Sequence, residues 1–182
     1  MLRYGQWAVY GLATVWSLWF SVVTLAWGAP ASAPLKVAGT IFPLYDLVRQ
    51  VAGSAVEVVL LVPPGASPHT FAVKPGTVRA LTGCAAVFTI GHGLDDWATR
   101  LAQEAGVKRT IVTDAGVPLR SGYHEHHGAG HARSHTAAAD AVDPHYWLSI
   151  PNAIRMVQFI AEVLGQLDPA AQADYQQRAA TY

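Results

Sequence analysis

Eight histidines stand in this 182-residue sequence beside one cysteine and two methionines. Neutral imidazole offers a nitrogen lone pair near neutral pH, so the chemistry these side chains do most readily is to bind divalent metals. Cys84 has no partner, which excludes a cysteine-based zinc finger and a disulfide framework. His69 lies in Pro63-Pro64-Gly65-Ala66-Ser67-Pro68-His69-Thr70-Phe71, a stiff loop that presents one imidazole. His145 lies in Asp143-Pro144-His145-Tyr146-Trp147. There the Asp143 carboxylate could hold the second ring N–H, as partners of metal-bound histidines do, or could simply cap a turn. His69 could likewise be a surface or capping residue. His124, His126, His127, His131 and His135 crowd a Gly- and Ala-rich stretch with no apolar residues to form a core. They read as a weak auxiliary metal site, or as a soluble, titrating linker resembling an affinity tag. His92, between Gly91 and Gly93, reads as a solvent-facing turn residue.

The same residues argue against an enzyme. No His-Glu-x-x-His pair is present, no Ser or Cys occupies a nucleophile motif, and neither Asp143 nor Asp46 has the setting of a general base beside a catalytic metal. Cys84 reads as a small buried residue.

The elements that must position these side chains alternate. Strand patterns at 35–40, 56–62, 86–90 and 109–113 are separated by helical patterns at 43–52, from Pro75 to about 83, and at 94–105. Val56 to Val62 is nearly continuous apolar, as in a strand covered on both faces. The expected fold is α/β: a four-stranded parallel sheet with right-handed crossovers and helices on both faces. Ligands of such sheets sit beyond the carboxyl ends of the strands, where His69 and His92 both fall. Residues 116–142 lose all apolar periodicity and read as a long surface loop. Pro151 opens a helical pattern through Leu167, and a more polar one runs from Ala170 to Tyr182.

Residues 1–31 are a separate object. Arg3 precedes a nearly unbroken apolar run from Trp7 to Trp27, followed by Gly28-Ala29-Pro30-Ala31. This reads as a secretory signal peptide cut after Ala31; the alternative is an uncleaved membrane anchor. Either way the remainder lies outside the cytoplasm. Lys plus Arg and Asp plus Glu each count 12, and loss of Arg3 with the leader leaves a slightly acidic chain. A neutral chain with 13% charged residues lacks the basic field that nucleic-acid binding requires, and at 52% apolar it is no disordered polyelectrolyte.

Four strings taken together resemble one family. Ile41-Phe42-Pro43-Leu44-Tyr45-Asp46-Leu47-Val48, Leu61-Val62-Pro63-Pro64-Gly65-Ala66-Ser67-Pro68-His69-Thr70-Phe71, Ile90-Gly91-His92-Gly93-Leu94-Asp95-Asp96-Trp97 and Asp143-Pro144-His145-Tyr146-Trp147-Leu148 are similar to the metal-binding solute-binding proteins of ABC importers, more narrowly the ZnuA type. The resemblance implies that His69 and His145 are metal ligands, with Asp143 behind His145. It implies Zn2+ as cargo (Mn2+ is the alternative), a membrane permease with its ATPase as partners, a periplasmic location, and a monomer that transports or, on the same fold, a metal-dependent surface adhesin. It also implies the organisation: signal peptide 1–31, metal-binding lobe 32–148 with its His-rich loop 116–142, and the start of an interlobe helix at 149–182.

The sequence departs from the family pattern at Ala72, where Glu is usual, and at Ser149-Ile150. The family also continues into a second lobe that supplies further ligands. The expectation is therefore that residues up to Tyr182 constitute a truncated form, with weaker zinc binding than a two-lobe relative.

Overall fold

The computed structural model describes residues 33–121 and 142–182; the expected leader and the five clustered histidines lie outside the described residues. Pro34–Tyr182 pack as one compact unit. Its elements are β1 (Lys36–Gly39), α1 (Phe42–Ala52), β2 (Glu57–Leu60), α2 (Pro75–Ala80), β3 (Ala86–Thr89), α3 (Trp97–Glu104), β4 (Thr110–Val112), α4 (Ile150–Leu167) and α5 (Gln172–Thr181). The four strands form one parallel sheet in the order β2-β1-β3-β4.

Both faces of the sheet are covered, as the alternating pattern requires. Side chains alternate across a strand. Val37 and Phe88 thus point into a core shared with Leu44, Val48 and Val51 of α1, Met156, Ile160 and Leu164 of α4, and Tyr175 of α5. Ala38 and Val87 point the other way, against Leu81 and the Ala98, Leu101 and Ala102 face of α3. The strands buried on both sides are the central pair. β2, whose apolar run suggested full burial, is an edge strand with Glu57 exposed and the next three residues partly covered. Its outer side has no neighbouring strand, and apolar composition alone cannot reveal that.

Close packing at the sheet's carboxyl end needs small residues. A Cβ on Gly39 would lie 2.9 Å from the backbone α-carbon of Tyr45, so only glycine lets β1 turn directly into α1. At the far end of α1, Arg178 of α5 donates to the carbonyls of Val51 (2.6 Å) and Ala52 (3.2 Å), satisfying acceptors the helix end leaves open. The more polar final helix is thereby docked on the lobe.

The helical pattern seen from Leu94 starts later in the fold, at Trp97, because Asp95 has another task. Its fully buried carboxylate accepts from the backbone N–H groups of Ile90 (2.8 Å) and Gly91 (2.7 Å) and from the Thr40 hydroxyl. It thus fastens the ends of β1 and β3 together. Burial pushes this carboxyl above its ordinary range, against the three hydrogen bonds that pull it down. A carboxyl raised on folding favours the fold most below its unfolded pKa of about 3.9, and that contribution fades as pH climbs through the raised native value. Asp95→Ala leaves two buried N–H groups without acceptors and is expected to cost about 2–4 kcal/mol in urea unfolding at neutral pH. Asp95→Asn is expected to flatten the decline in stability between about pH 4 and the raised native pKa. An alanine variant within about 0.5 kcal/mol of the parent would contradict this role.

Candidate metal centre

His69 is set by the loop that leaves β2. The backbone N–H of Val62 donates to the carbonyl of Thr40 (2.9 Å), holding the strand end in register before the Pro63-Pro64-Gly65 turn. Pro68–Thr70 then form a single 3₁₀ turn that leaves the His69 side chain exposed. The next residue, Phe71, stacks on Trp97 at the start of α3, with ring centroids 4.9 Å apart. The aromatic pair fixes the loop to the body without using the imidazole.

His145 is set from both sides. The carboxylate of Asp143 accepts from its backbone N–H (2.9 Å) and lies 2.8 Å from its Nδ1. These bonds, the backbone one first, hold the Asp143 carboxyl below its usual range. With Nδ1–H donated to a carboxylate, Nε2 carries the lone pair. On the other side, Tyr146 is buried and donates its hydroxyl to the carbonyl of Ile90 (2.9 Å), with Thr113 Oγ1 at 3.3 Å. Burial raises the phenol well above its ordinary pKa. Asn152 of α4 donates to the Tyr146 carbonyl (3.1 Å). The segment carrying His145 is therefore bolted to the carboxyl end of β3.

The fold brings His69 and His145 together: their ring centroids are 5.7 Å apart, tilted by 45°. Both side chains are exposed. Two imidazoles make half of a tetrahedral zinc shell. Among the described residues no three His, Cys, Asp or Glu side chains converge on one point. A cleft of about 670 Å³, walled by Asp143, His145, Tyr146, Ser149 and Asn152, opens beside His145. The stems of the His-rich stretch meet next to it, through a bridge between Ser121 and Val142 and a bond from Asp143 N–H to the Arg120 carbonyl (2.9 Å). Cys84 is buried in the core on the α3 face of the sheet, and burial pushes its thiol up.

Two features depart from what the sequence suggested. His92 does not simply face solvent: its Nε2 is 2.9 Å from Asp114 Oδ2, and its ring meets Tyr146 edge-on at 6.0 Å. Tyr146 and Asp95 carry the architecture of the site, yet the sequence offered them only as letters inside longer strings. Their signal is hydrogen bonding to Ile90, which exists once the strand ends are in place.

A parallel α/β lobe with two imidazoles at its strand ends, one backed by a carboxylate, is the framework of a metal-binding solute receptor. The family described as "Zinc-uptake complex component A periplasmic" (ZnuA) matches residues 37–182, and the chain belongs to it. This is a family of metal-binding solute-binding proteins, not of enzymes. The chain is 32% identical to the FpvC solute-binding protein of Pseudomonas aeruginosa, whose structure is in complex with Mn2+, with a TM-score of 0.67 over 82% of this chain and 51% of that one. It is 27% identical to the zinc-binding lipoprotein AdcA of Streptococcus pneumoniae over 84% of this chain and 30% of that protein. It is 26% identical to the manganese-binding lipoprotein MntA of Halalkalibacterium halodurans over 81% of this chain and 45% of that protein. The chain thus spans about half the length of these relatives, or less.

Tyr146→Phe deletes the bond to the Ile90 carbonyl while keeping the ring. It is expected to cost about 1–2 kcal/mol in unfolding free energy. A smaller loss than about 0.3 kcal/mol would show that the hydroxyl bond does not hold the His145 segment.

Proposed function

We propose that this chain supplies the metal-holding lobe of an extracytoplasmic solute-binding component, which captures Zn2+ and delivers it to a membrane permease and its ATPase. The observation that carries the reading is the approach of the His69 and His145 rings across the carboxyl end of the sheet, with Asp143 fixing one of them. Residues 1–31 would export the chain to the periplasm as a cleaved leader or hold it at the membrane. The chain would work as a monomer, with α4 and α5 completing the core of this lobe.

The choice of zinc rests on donor chemistry. Imidazole suits Zn2+, whereas Mn2+ favours oxygen donors and stands lower in the order of divalent affinities. The two ligands are exposed on turns, so a hydrated cation reaches them without desolvating a buried charge. His124, His126, His127, His131 and His135 would gather metal as an auxiliary site.

Calorimetric titration of the chain with ZnCl2 and with MnCl2 tests this reading. Zinc is expected to bind more tightly than manganese. His69→Ala and His145→Ala are each expected to weaken the tightest zinc step at least tenfold, and Asp143→Asn by about 10–100-fold. Tighter manganese binding would assign the site to the other cation. A zinc step untouched by both alanine variants would remove these histidines from it.

A further inference from the structure

His92 is built into the fold in a way its turn position does not require. It is the one non-glycine residue with positive φ among the described residues (55°), flanked by Gly91 at 76° and Gly93 at 84°. Such a backbone strains a residue that bears a side chain. Glycine would adopt it without strain, so the chain bears a cost to place an imidazole just past β3. That imidazole is held by a carboxylate from the end of the neighbouring strand: Asp114 Oδ2 lies 2.9 Å from Nε2. With the ionised carboxylate accepting Nε2–H, Nδ1 is left with its lone pair. Nδ1 has no hydrogen-bond partner among the described residues and is absent from their buried unpaired atoms, so it reaches solvent. The His92 and Asp114 side chains are 20% and 30% exposed, accessible yet partly screened from water.

This is the arrangement found at His145, where Asp143 occupies one ring nitrogen and leaves the other open. A role as a simple brace for Tyr146 does not account for it. Tyr146 is already fixed by its bonds to Ile90 and Thr113, and an edge-on contact uses neither ring nitrogen. We propose that His92 and Asp114 form a second divalent-cation site on this lobe, taking Zn2+ or a similar borderline ion through His92 Nδ1, with Asp114 orienting the ring. It is separate from the His69–His145 pair, because no three such side chains among the described residues converge on one ion. With one protein ligand and water completing its shell, it is a weak, quickly exchanging site at the same edge of the sheet.

The test is ZnCl2 titration followed by ¹⁵N NMR of the histidine rings. The His92 Nδ1 resonance is expected to move toward its metal-bound position at zinc concentrations above those that shift His69 and His145. It should do so equally in a His69→Ala/His145→Ala variant. Asp114→Asn should raise the zinc needed at His92 by at least tenfold. His92→Gly, which relieves the backbone and so should fold, is expected to leave the His69 and His145 shifts at their parental zinc concentrations. The proposal is overturned if His92 stays unmoved at saturating zinc, if it moves only in step with His69 and His145, or if Asp114→Asn leaves its titration unchanged.

Discussion

Ile90, just past the central strand β3, has both backbone groups tied by side chains from other parts of the chain. Its N–H goes to Asp95 and its carbonyl receives the Tyr146 hydroxyl. A buried strand end has run out of ladder partners, and each orphaned group would cost free energy there. Asp95 answers that need at Ile90 and Gly91 and also draws in Thr40, so the ends of β1 and β3 become one rigid platform. Tyr146 answers it from the other side, and in doing so delivers His145 to the platform. Site geometry is thus a by-product of hydrogen-bond accounting at the carboxyl edge of a parallel sheet.

The division between buried platform and exposed imidazoles suits the proposed metal capture. The groups that fix the site, Asp95, Thr113 and Tyr146, are buried. The groups that would touch metal, His69 and His145, are exposed on single 3₁₀ turns or their caps. A site of exposed imidazoles can load and release an ion without opening the core. An enzyme would need in addition a proton-transferring group beside an open coordination position, and the family to which the chain belongs has a solute-binding role instead.

Much of this was legible in the sequence for identifiable reasons. Strand and helix periodicities pointed to four parallel strands, because both faces of a covered sheet must be apolar. The Pro-His-Thr-Phe and Asp-Pro-His-Tyr-Trp strings singled out the two histidines that the fold brings together. What stayed hidden depends on contacts between distant residues. The edge position of β2 follows from strand order, which composition does not encode. The late start of α3 follows from the capture of Asp95 by two strand ends. The pairing of His92 with Asp114 joins residues after β3 and β4 that no local pattern connects. Asp143 was the exception: its partner is two residues away, so sequence spacing alone exposed the contact.

In the proposed site one zinc ion is held by His69 and His145 together. A crystal structure of the chain with one equivalent of Zn2+, with data at the zinc absorption edge, tests it most directly. An anomalous peak is expected about 2.0–2.1 Å from a ring nitrogen of His69 and from Nε2 of His145, with Nδ1 of His145 still on Asp143. A peak bound elsewhere, with both imidazoles uncoordinated, would contradict it.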